Sequence, residues 1–507
     1  MAQSFYTIDL QDTFFPMLSE QQGRTVIGSE AGKAPSKENR PGIAYCHNVM
    51  PSKHGYDSIG YLSVIGAAAT LNPAAVFVDV RIAYGDAKSR LYLAWANNGI
   101  AYVLLQGSTT WLELPATVPP TGFPLYSPEI VTIGTVNGVS YIFFSGIGAF
   151  TFNEVTNSLD AVTLTGLTIA DVLGVVATNG YLIAYTDQAI AWSSTIDPTD
   201  FVPSSVTGAG GGNVAGTEGA IIFCTSNSLG VLVYTTANTI AGTYTGNTQF
   251  PFKFRPVDDS KGGVSLDLVA YEAKGPKQFV YSKSGLQSIT SQRAEAIIPE
   301  VTDFLAGKRF EDYDEVTKLY TYINLIDTMR KKIKFIASRY LVISYGVPPN
   351  SSFTHALVYD TALNKIGKLK LDHVDVFEYI GNQTEIAKES LAFLLTTGEV
   401  KTLDFSTPGV SSGVLILGKI QASRTRFLTL LGVELENIAS PSDTLSVSSQ
   451  VTIDGKNFTT TEGTLKDSDT NYREYVFRVT GKNHSLAFIG KFNLVTVLVR
   501  YFSAGRR

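Results

Sequence analysis

Paired carboxylates, histidines, thiols and activated hydroxyls at workable spacing are the raw material of catalysis, and this sequence offers few of them. Asp197 and Asp200, in Ile-Asp-Pro-Thr-Asp-Phe, are the most suggestive pair. Two carboxyls about 5–10 Å apart across a cleft would suit a glycosidase acid and base. Pro198, however, fixes its own φ at about −65° and pushes Asp197 out of the helical region. Asp and Thr side chains also bond nearby backbone N–H groups. The stretch therefore reads as a corner between strands, with Phe201 packing back beneath it. Asp258-Asp259 could hold a divalent ion but reads more simply as a polar loop before Lys261-Gly262-Gly263. Glu311, Asp312, Asp314 and Glu315 form an acidic cluster; the readings are a solvated segment between helix and strand, or a calcium or subunit contact.

The other chemical residue types are no more promising. His47, His54, His355, His373 and His484 include no two residues four apart and no H-E-x-x-H motif. Only Cys46 and Cys224 are present, so a Cys-rich zinc site is excluded and both read as small buried hydrophobes. His47 and His54 flank a loop near Cys46, a weak metal set at best. No G-x-S-x-G nucleophile elbow occurs. The glycine-rich run 207–219 lacks the Gly-Lys-Ser/Thr of a phosphate loop and the third glycine of a dinucleotide fingerprint. The repeated Ser-x-Asp-x-Gly-x-x-Trp boxes of sialidase-type propellers are missing too. The expectation is a protein with no catalytic residues, no metal site and no cofactor. The densest positive charge is Arg330, Lys331, Lys332 and Lys334, with Arg506-Arg507 at the far end. These read as a solvated hairpin tip, or as contacts to an acidic neighbouring subunit or to DNA passing through a channel.

The elements that would position such residues are strands. Charged residues are only 17% of the chain, below the usual quarter, and Gly, Thr, Ser, Tyr and Phe fill the difference. β-branched and aromatic side chains suit a pleated, half-buried surface. A net charge of −5 leaves no excess of Lys and Arg to neutralise phosphates, so general nucleic-acid binding is excluded. No basic, then apolar, leader opens the sequence, and no apolar run reaches about 18 residues. The expectation is a soluble chain without stable membrane insertion.

Asn-Gly followed at once by an apolar run occurs at Gly99, Gly138 and Gly180, with looser versions near Gly230, Gly285 and Gly398. Asn-Gly favours the type I′ hairpin turn. Recurrence at roughly 40–50 residues is the period of a propeller blade. The predicted fold is all-β: a β-propeller-like domain over 61–410, an N-terminal arm or platform segment over 1–60, and a C-terminal β-sandwich-like domain over 411–507. A short helix is expected near 294–305, begun around Pro299 and ended at Gly307. Residues 207–219 read as a connector, 405–420 as a domain boundary, and Asp454-Gly455 as a hairpin turn.

The order of several segments carries a resemblance. Ala-Ile-Ala-Trp-Ser-Ser-Thr-Ile-Asp-Pro (189–198), the glycine-rich connector, Lys261-Gly262-Gly263, Ser-Lys-Ser-Gly-Leu-Gln-Ser-Ile (282–289) and Gln-Val-Thr-Ile-Asp-Gly-Lys-Asn-Phe (450–458) follow one another. In that order they resemble the tail hub, or nozzle, proteins of short-tailed bacteriophages, also called packaged-DNA stabilisation proteins. The resemblance covers roughly 180–507. It implies a virion structural protein of the viral tail, assembled in the host cytoplasm and forming a homohexameric ring. Such a ring extends the portal–adaptor channel, aids genome stabilisation and conducts double-stranded DNA during DNA ejection. Its implied partners are the adaptor or head-to-tail connector ring and a tail spike, fibre or needle protein, with no catalytic residues to carry over. The alternative is a carbohydrate-binding or glycan-cleaving propeller, with Tyr and Phe stacking on sugars and Asp197, Asp200, Asp312 and Asp314 as carboxylates. A propeller scaffold in a cellular signalling complex is a third reading.

Overall fold

The computed structural model of this chain describes residues 4–10, 25–26, 43–66, 76–114, 131–271, 275–282, 284–298, 301, 310–314, 319–323, 330–346, 352–380, 391–404, 413–418, 420–421, 427–437, 444–452, 458–469 and 472–504. Seven four-stranded antiparallel units succeed one another along it. Blade 1 runs Phe77–Tyr84, Arg90–Ala96, Ala101–Leu105 and Leu112–Glu113. Blade 2 is Val131–Val136, Val139–Phe144, Gly148–Asn153 and Ser158–Val162; blade 3 is Gly174–Thr178, Tyr181–Tyr185, Ala189–Trp192 and Gly210–Asn213. Blade 4 is Ile221–Asn227, Gly230–Thr235, Thr239–Tyr244 and Phe252–Pro256; blade 5 is Val269–Tyr271, Gln278–Ser282, Gly285–Ile289 and Ala294–Ala296. Blade 6 is Arg330–Ile336, Tyr340–Gly346, Phe353–Asp360 and Lys365–His373. Blade 7 takes Asp375–Glu378, Leu391–Leu394 and Val400–Asp404 in order, then borrows Gly60–Ile65 from the other end of the chain as its outer strand.

The first strands of these units touch in a closed cycle, each beside the next and the seventh beside the first. That is a seven-bladed β-propeller, closed by the strand from residues 60–65. Its cores lie between blades. Leu91, Leu93 and Trp95 of blade 1 meet Ile142, Phe144 and Phe150 of blade 2. Phe143 and Ala149 meet Val175 and Leu182 across the next seam. Phe77 and Tyr92 meet Phe377 and Leu394 across the closing one. A blade's second strand is covered on both faces, which is why Tyr181–Tyr185 and Gly230–Thr235 are buried throughout and read as unbroken apolar runs.

The turn marks fall where hairpins are needed, but on two different turns. Asn137-Gly138 and Asn179-Gly180 join first to second strands, with both residues at positive φ, as a type I′ turn requires. Gly99, Gly285 and Gly398 instead lie between second and third strands. The 39-residue step from Gly99 to Gly138 therefore compares unlike positions.

A second body is built from both ends of the sequence. One of its sheets carries Ser4–Asp9, Tyr56–Ser58, Asn493–Ala504, Phe427–Asn437, Tyr472–Gly481 and Thr464–Asp469, and it continues through Val49–Pro51 into the outer strand of blade 6, giving eleven strands in one sheet. The other carries Thr25–Val26, Ile43–His47, Gly413–Leu417, Ile420–Gln421, Leu445–Thr452, Phe458–Glu462 and Asn483–Gly490. Leu428, Leu430, Val433, Val497 and Val499 share one core with Leu415, Leu417, Val447, Leu486 and Phe488, the arrangement of a β-sandwich. The segment expected as an N-terminal arm, 1–60, thus supplies strands to the sandwich, and the strand that completes blade 7 starts at its last residue.

Three expectations need correction. Ala294–Ala296, where a helix was expected to begin, is the outer strand of blade 5, paired with Gln287–Ile289; residues 299–300 and 302–309 lie outside the described residues. The four-strand pattern of the blade overrides the local helix signals there. The glycine-rich connector contains the outer strand of blade 3, Gly210–Asn213. Arg330–Ile336 is the inner strand of blade 6 and not a hairpin tip. Of the boundary expected at 405–420, the described part is mostly the sandwich strand Gly413–Leu417; residues 405–412, Asp454-Gly455 and Arg506-Arg507 lie outside the described residues.

Candidate functional site

The inner strands deliver charge to the axis of the propeller. In a strand, residues two apart share a face. Asp79 and Arg81 therefore stand together on blade 1, and Lys332 and Lys334 together on blade 6. Asp375 begins the inner strand of blade 7, and Asp267 sits just before that of blade 5. Lys332 is 2% exposed, and Asp79 and Asp375 are fully buried. The Lys332 Nζ bonds both Asp79 and Asp375, the latter at 2.8 Å, with Asp267 at 3.7 Å. Lys334 Nζ lies 3.7 Å from Asp375, and Arg81 Nε donates to Asp79 at 2.8 Å. Backbone N–H groups of Val80 and Val376 donate to Asp375 as well. Three acids and three bases thus neutralise one another across blades 1, 5, 6 and 7.

Burial pushes the Asp79 carboxyl up, but Arg81 and Lys332 outweigh it and hold the group well below the usual carboxylate range. Its neighbour Asp375 goes the other way: burial, against the pull of Lys332 and Lys334, lifts it to about 6. Of the two neighbouring carboxyls, Asp79 stays firmly ionised and Asp375 takes up a proton first. Burial lowers Lys332, yet Asp267, Asp375 and Asp79 more than restore it, and the ammonium is held above its ordinary value. A nucleophilic lysine needs the opposite shift. The arrangement clamps the ring where the two ends of the propeller meet; within it, burial, against the pull of Asp375, holds Lys334 below its ordinary value.

The four basic residues expected as contacts are thereby divided. Lys332 and Lys334 are consumed by the clamp. Arg330 lies over the Phe353 ring at 4.8 Å and Lys331 over the Tyr281 ring at 4.9 Å. The acids that hold Lys332 escape motif searches because they lie on three separate blades, Asp79 and Asp375 on strands and Asp267 on a short 3-10 turn. The signal is there in hindsight: Val-Asp-Val occurs at 78–80 and again at 374–376, on inner strands of adjoining blades. A charge centred in an apolar run needs a buried partner.

Further polar side chains lie on both faces of blade 6, with the His373 ring meeting Phe393 of blade 7 edge-on. Ser344 Oγ and His373 Nε2 are 2.7 Å apart, and His373 Nδ1 lies 2.7 Å from the Leu371 carbonyl oxygen. Nδ1–H therefore donates to that carbonyl, and Nε2 accepts from the serine hydroxyl. This is a nucleophile–base spacing, but both residues are buried, so the pair reads as a satisfied core contact. Nearby, Tyr45 and His47 are bonded at 3.0 Å, Lys368 Nζ lies 4.6 Å over the Tyr45 ring, and Tyr345 stacks on His355. Burial, then Lys368 and Lys370, brings His47 down to about 3, and burial brings His373 and His484 to about 4. His355 is held well below its ordinary value by burial and the same lysines. Burial pushes the Cys46 thiol up to about 12.

The remaining candidates resolve as local structure. Asp197 accepts from the Thr199 backbone N–H and hydroxyl, and Asp200 accepts from the Val202 N–H. Phe201 is buried in the seam between blades 2 and 3, as the corner reading requires. Asp258 and Asp259 lie in the loop between blades 4 and 5, where Arg293 approaches Asp259 at 3.5 Å. Asp312 and Asp314 lie on Phe310–Asp314, which pairs with Leu319–Ile323; Glu315 is outside the described residues. No cluster of three metal-ligating side chains occurs among the described residues.

The sequence matches no known family and no curated protein. Among solved structures, it is similar to the WD40 β-propeller domain of Doa1, with 10% identity over 68% of this chain and 97% of that one, at a TM-score of 0.39. The β-propeller domain of Cps50 (Swd1) from Myceliophteria thermophila gives 10% identity over 67% and 99%, at 0.37. The WD40 domain of Pan2 from Neurospora crassa gives 8% over 68% and 96%, at 0.36. Likeness at this level adds nothing to the propeller architecture, which rests on the closed cycle of sheets.

Proposed function

We propose that this protein works as a structural subunit of a virus particle. In this reading it is one member of a hexameric tail hub or nozzle of a short-tailed bacteriophage. The ring lies below the portal and adaptor, retains packaged DNA and conducts it during ejection, and it would meet a spike, fibre or needle further down. The observation that supports this best is the eleven-stranded sheet running from blade 6 into the sandwich. It makes propeller and sandwich a single stiff block, which suits a ring segment that bears load.

Two further features agree. The buried charges are spent on one another, leaving the chain to act by shape. The propeller's own axis is crossed by the clamp, so DNA would pass beside this propeller, in the space that several copies enclose. A net charge of −5 favours sliding past phosphates over holding them. Native mass measurement and electron microscopy of the purified protein, alone and with an adaptor ring, test the reading. A sixfold annulus is the expected result. A chain that stays monomeric and ignores the adaptor contradicts it.

A further inference from the structure

The outer strand of a sheet leaves a row of N–H and C=O groups open to another strand, and proteins blunt such edges with charges or proline. Five of the seven blades here are blunted or covered. Leu112–Glu113 carries Glu113, Ser158–Val162 carries Asp160, Phe252–Pro256 carries Lys253, Arg255 and Pro256, and Ala294–Ala296 carries Glu295. Lys365–His373 is followed in its sheet by Val49–Pro51. The two others, Gly60–Ile65 on blade 7 and Gly210–Asn213 on blade 3, contain neither a charged residue nor a proline, and among the described residues each ends its sheet. Three blade steps separate them one way round and four the other, so they face away from each other.

Both edges are flanked by exposed apolar side chains. Leu62 is 54% exposed on the first. The loop entering the second exposes Ile196, Val202 and Val206, the last at 86%. Phe250, on the neighbouring loop of blade 4, is also exposed, and the two loops touch: a Cβ on Gly208 would lie 3.3 Å from the Thr248 carbonyl oxygen. Packing accounts for two of the three glycines in the strand. A Cβ on Gly210 would press on the Trp192 ring at 3.2 Å, and one on Gly211 would come within 2.7 Å of the Ile190 carbonyl oxygen. Gly212 has no such reason. A Cβ there meets nothing within 4 Å, and its φ is not in the left-handed region. What its bare backbone does allow is the close approach of another strand.

We infer that a second copy of this chain docks at these edges. Gly210–Asn213 of one copy adds to Gly60–Ile65 of the next, and the apolar flanks close against each other. The occupant is a second copy because one chain carries two unblunted edges on opposite sides, as a head-to-tail contact between identical subunits requires. A four-residue strand adds few hydrogen bonds, so each contact is weak alone and gains from closure of a ring. The inference rests on the ring reading above and names the surface that builds it.

The test uses the full chain, sedimentation velocity and native mass spectrometry. Gly212→Lys and Leu62→Lys each place a charge on one edge, and Val206→Asp places one on the flank. Unchanged circular dichroism and melting temperature identify folded variants. Each variant is expected to associate at least about tenfold more weakly than the parent, or about 1.4 kcal/mol. An equimolar mixture of Gly212→Lys and Leu62→Lys should yield a dimer and nothing larger, since each brings one intact edge. Folded variants that assemble like the parent overturn the inference and leave the ring reading standing, and so does a mixture that builds anything larger than a dimer. A parent chain that is monomeric alone and with an adaptor ring removes both.

Discussion

At the scale of single residues, the buried charges decide more than the exposed ones. Lys332 is surrounded by three carboxylates in a dry channel, and removing it strands Asp79 and Asp375. Breaking a buried pair from one side costs about 3–5 kcal/mol. Lys332→Met should therefore lower stability by that order in a denaturant titration, whereas Lys253→Ala on an exposed edge should leave it unchanged within error. A second prediction concerns acid. His47, His373 and His484 stay neutral in the fold to below pH 5, and burial holds His355 down as well, while unfolded histidines protonate near 6.5. Depressed histidines stabilise above pH 6.5, and that contribution is lost as pH falls. Asp375 and Asp57 oppose it, because burial raises both to about 6 and the fold takes up their protons first. Between pH 5.5 and 4.5 the unfolded chain binds at least about one proton more, giving a slope of at least about 1.4 kcal/mol per pH unit. Urea midpoints across that range should fall with pH; a flat profile would contradict the assigned neutral histidines.

At the scale of elements, seams between blades set the tolerances. Gly134 lies on the inner strand of blade 2, facing blade 3. A Cβ there would sit 2.5 Å from Leu182 Cδ1 and 3.1 Å from the Val176 carbonyl carbon. Gly134→Val should force the seam apart and cost about 1–3 kcal/mol, read as a lower melting temperature. Hairpins were legible in the sequence wherever Asn-Gly forces a tight turn, as at Gly138 and Gly180, and so was the corner at Asp197–Phe201. Blade 5 was not. Its outer strand is three residues long, and the Ala-Glu-Ala pattern there carries helix propensity that tertiary pairing overrides. Lys332 is masked for a similar reason: a run of four basic residues looks solvated until the acids that meet two of them are found on other blades, 43 positions away at Asp375 and 253 at Asp79.

At the scale of the whole molecule, propeller and sandwich share a sheet and a core. Leu341, Ile343 and Leu357 of blade 6 pack in the same cluster as Leu428 and Val499 of the sandwich. Heating should therefore give a single calorimetric transition, with calorimetric and van't Hoff enthalpies in agreement. Two resolved transitions would show that the halves are energetically separate. The seven-blade count and the shared sheet were hidden in the sequence because both depend on pairings between distant segments. Ser4–Asp9 lies beside Thr496–Tyr501, and residues 60–65 complete a unit begun at 375. Pairings of such separation slow folding. They also impose a timetable on biosynthesis: Ser4–Asp9 must wait, its edge uncovered, for partners translated nearly five hundred codons later. A holding chaperone during that interval would shield the nascent chain more effectively than any change to its finished form.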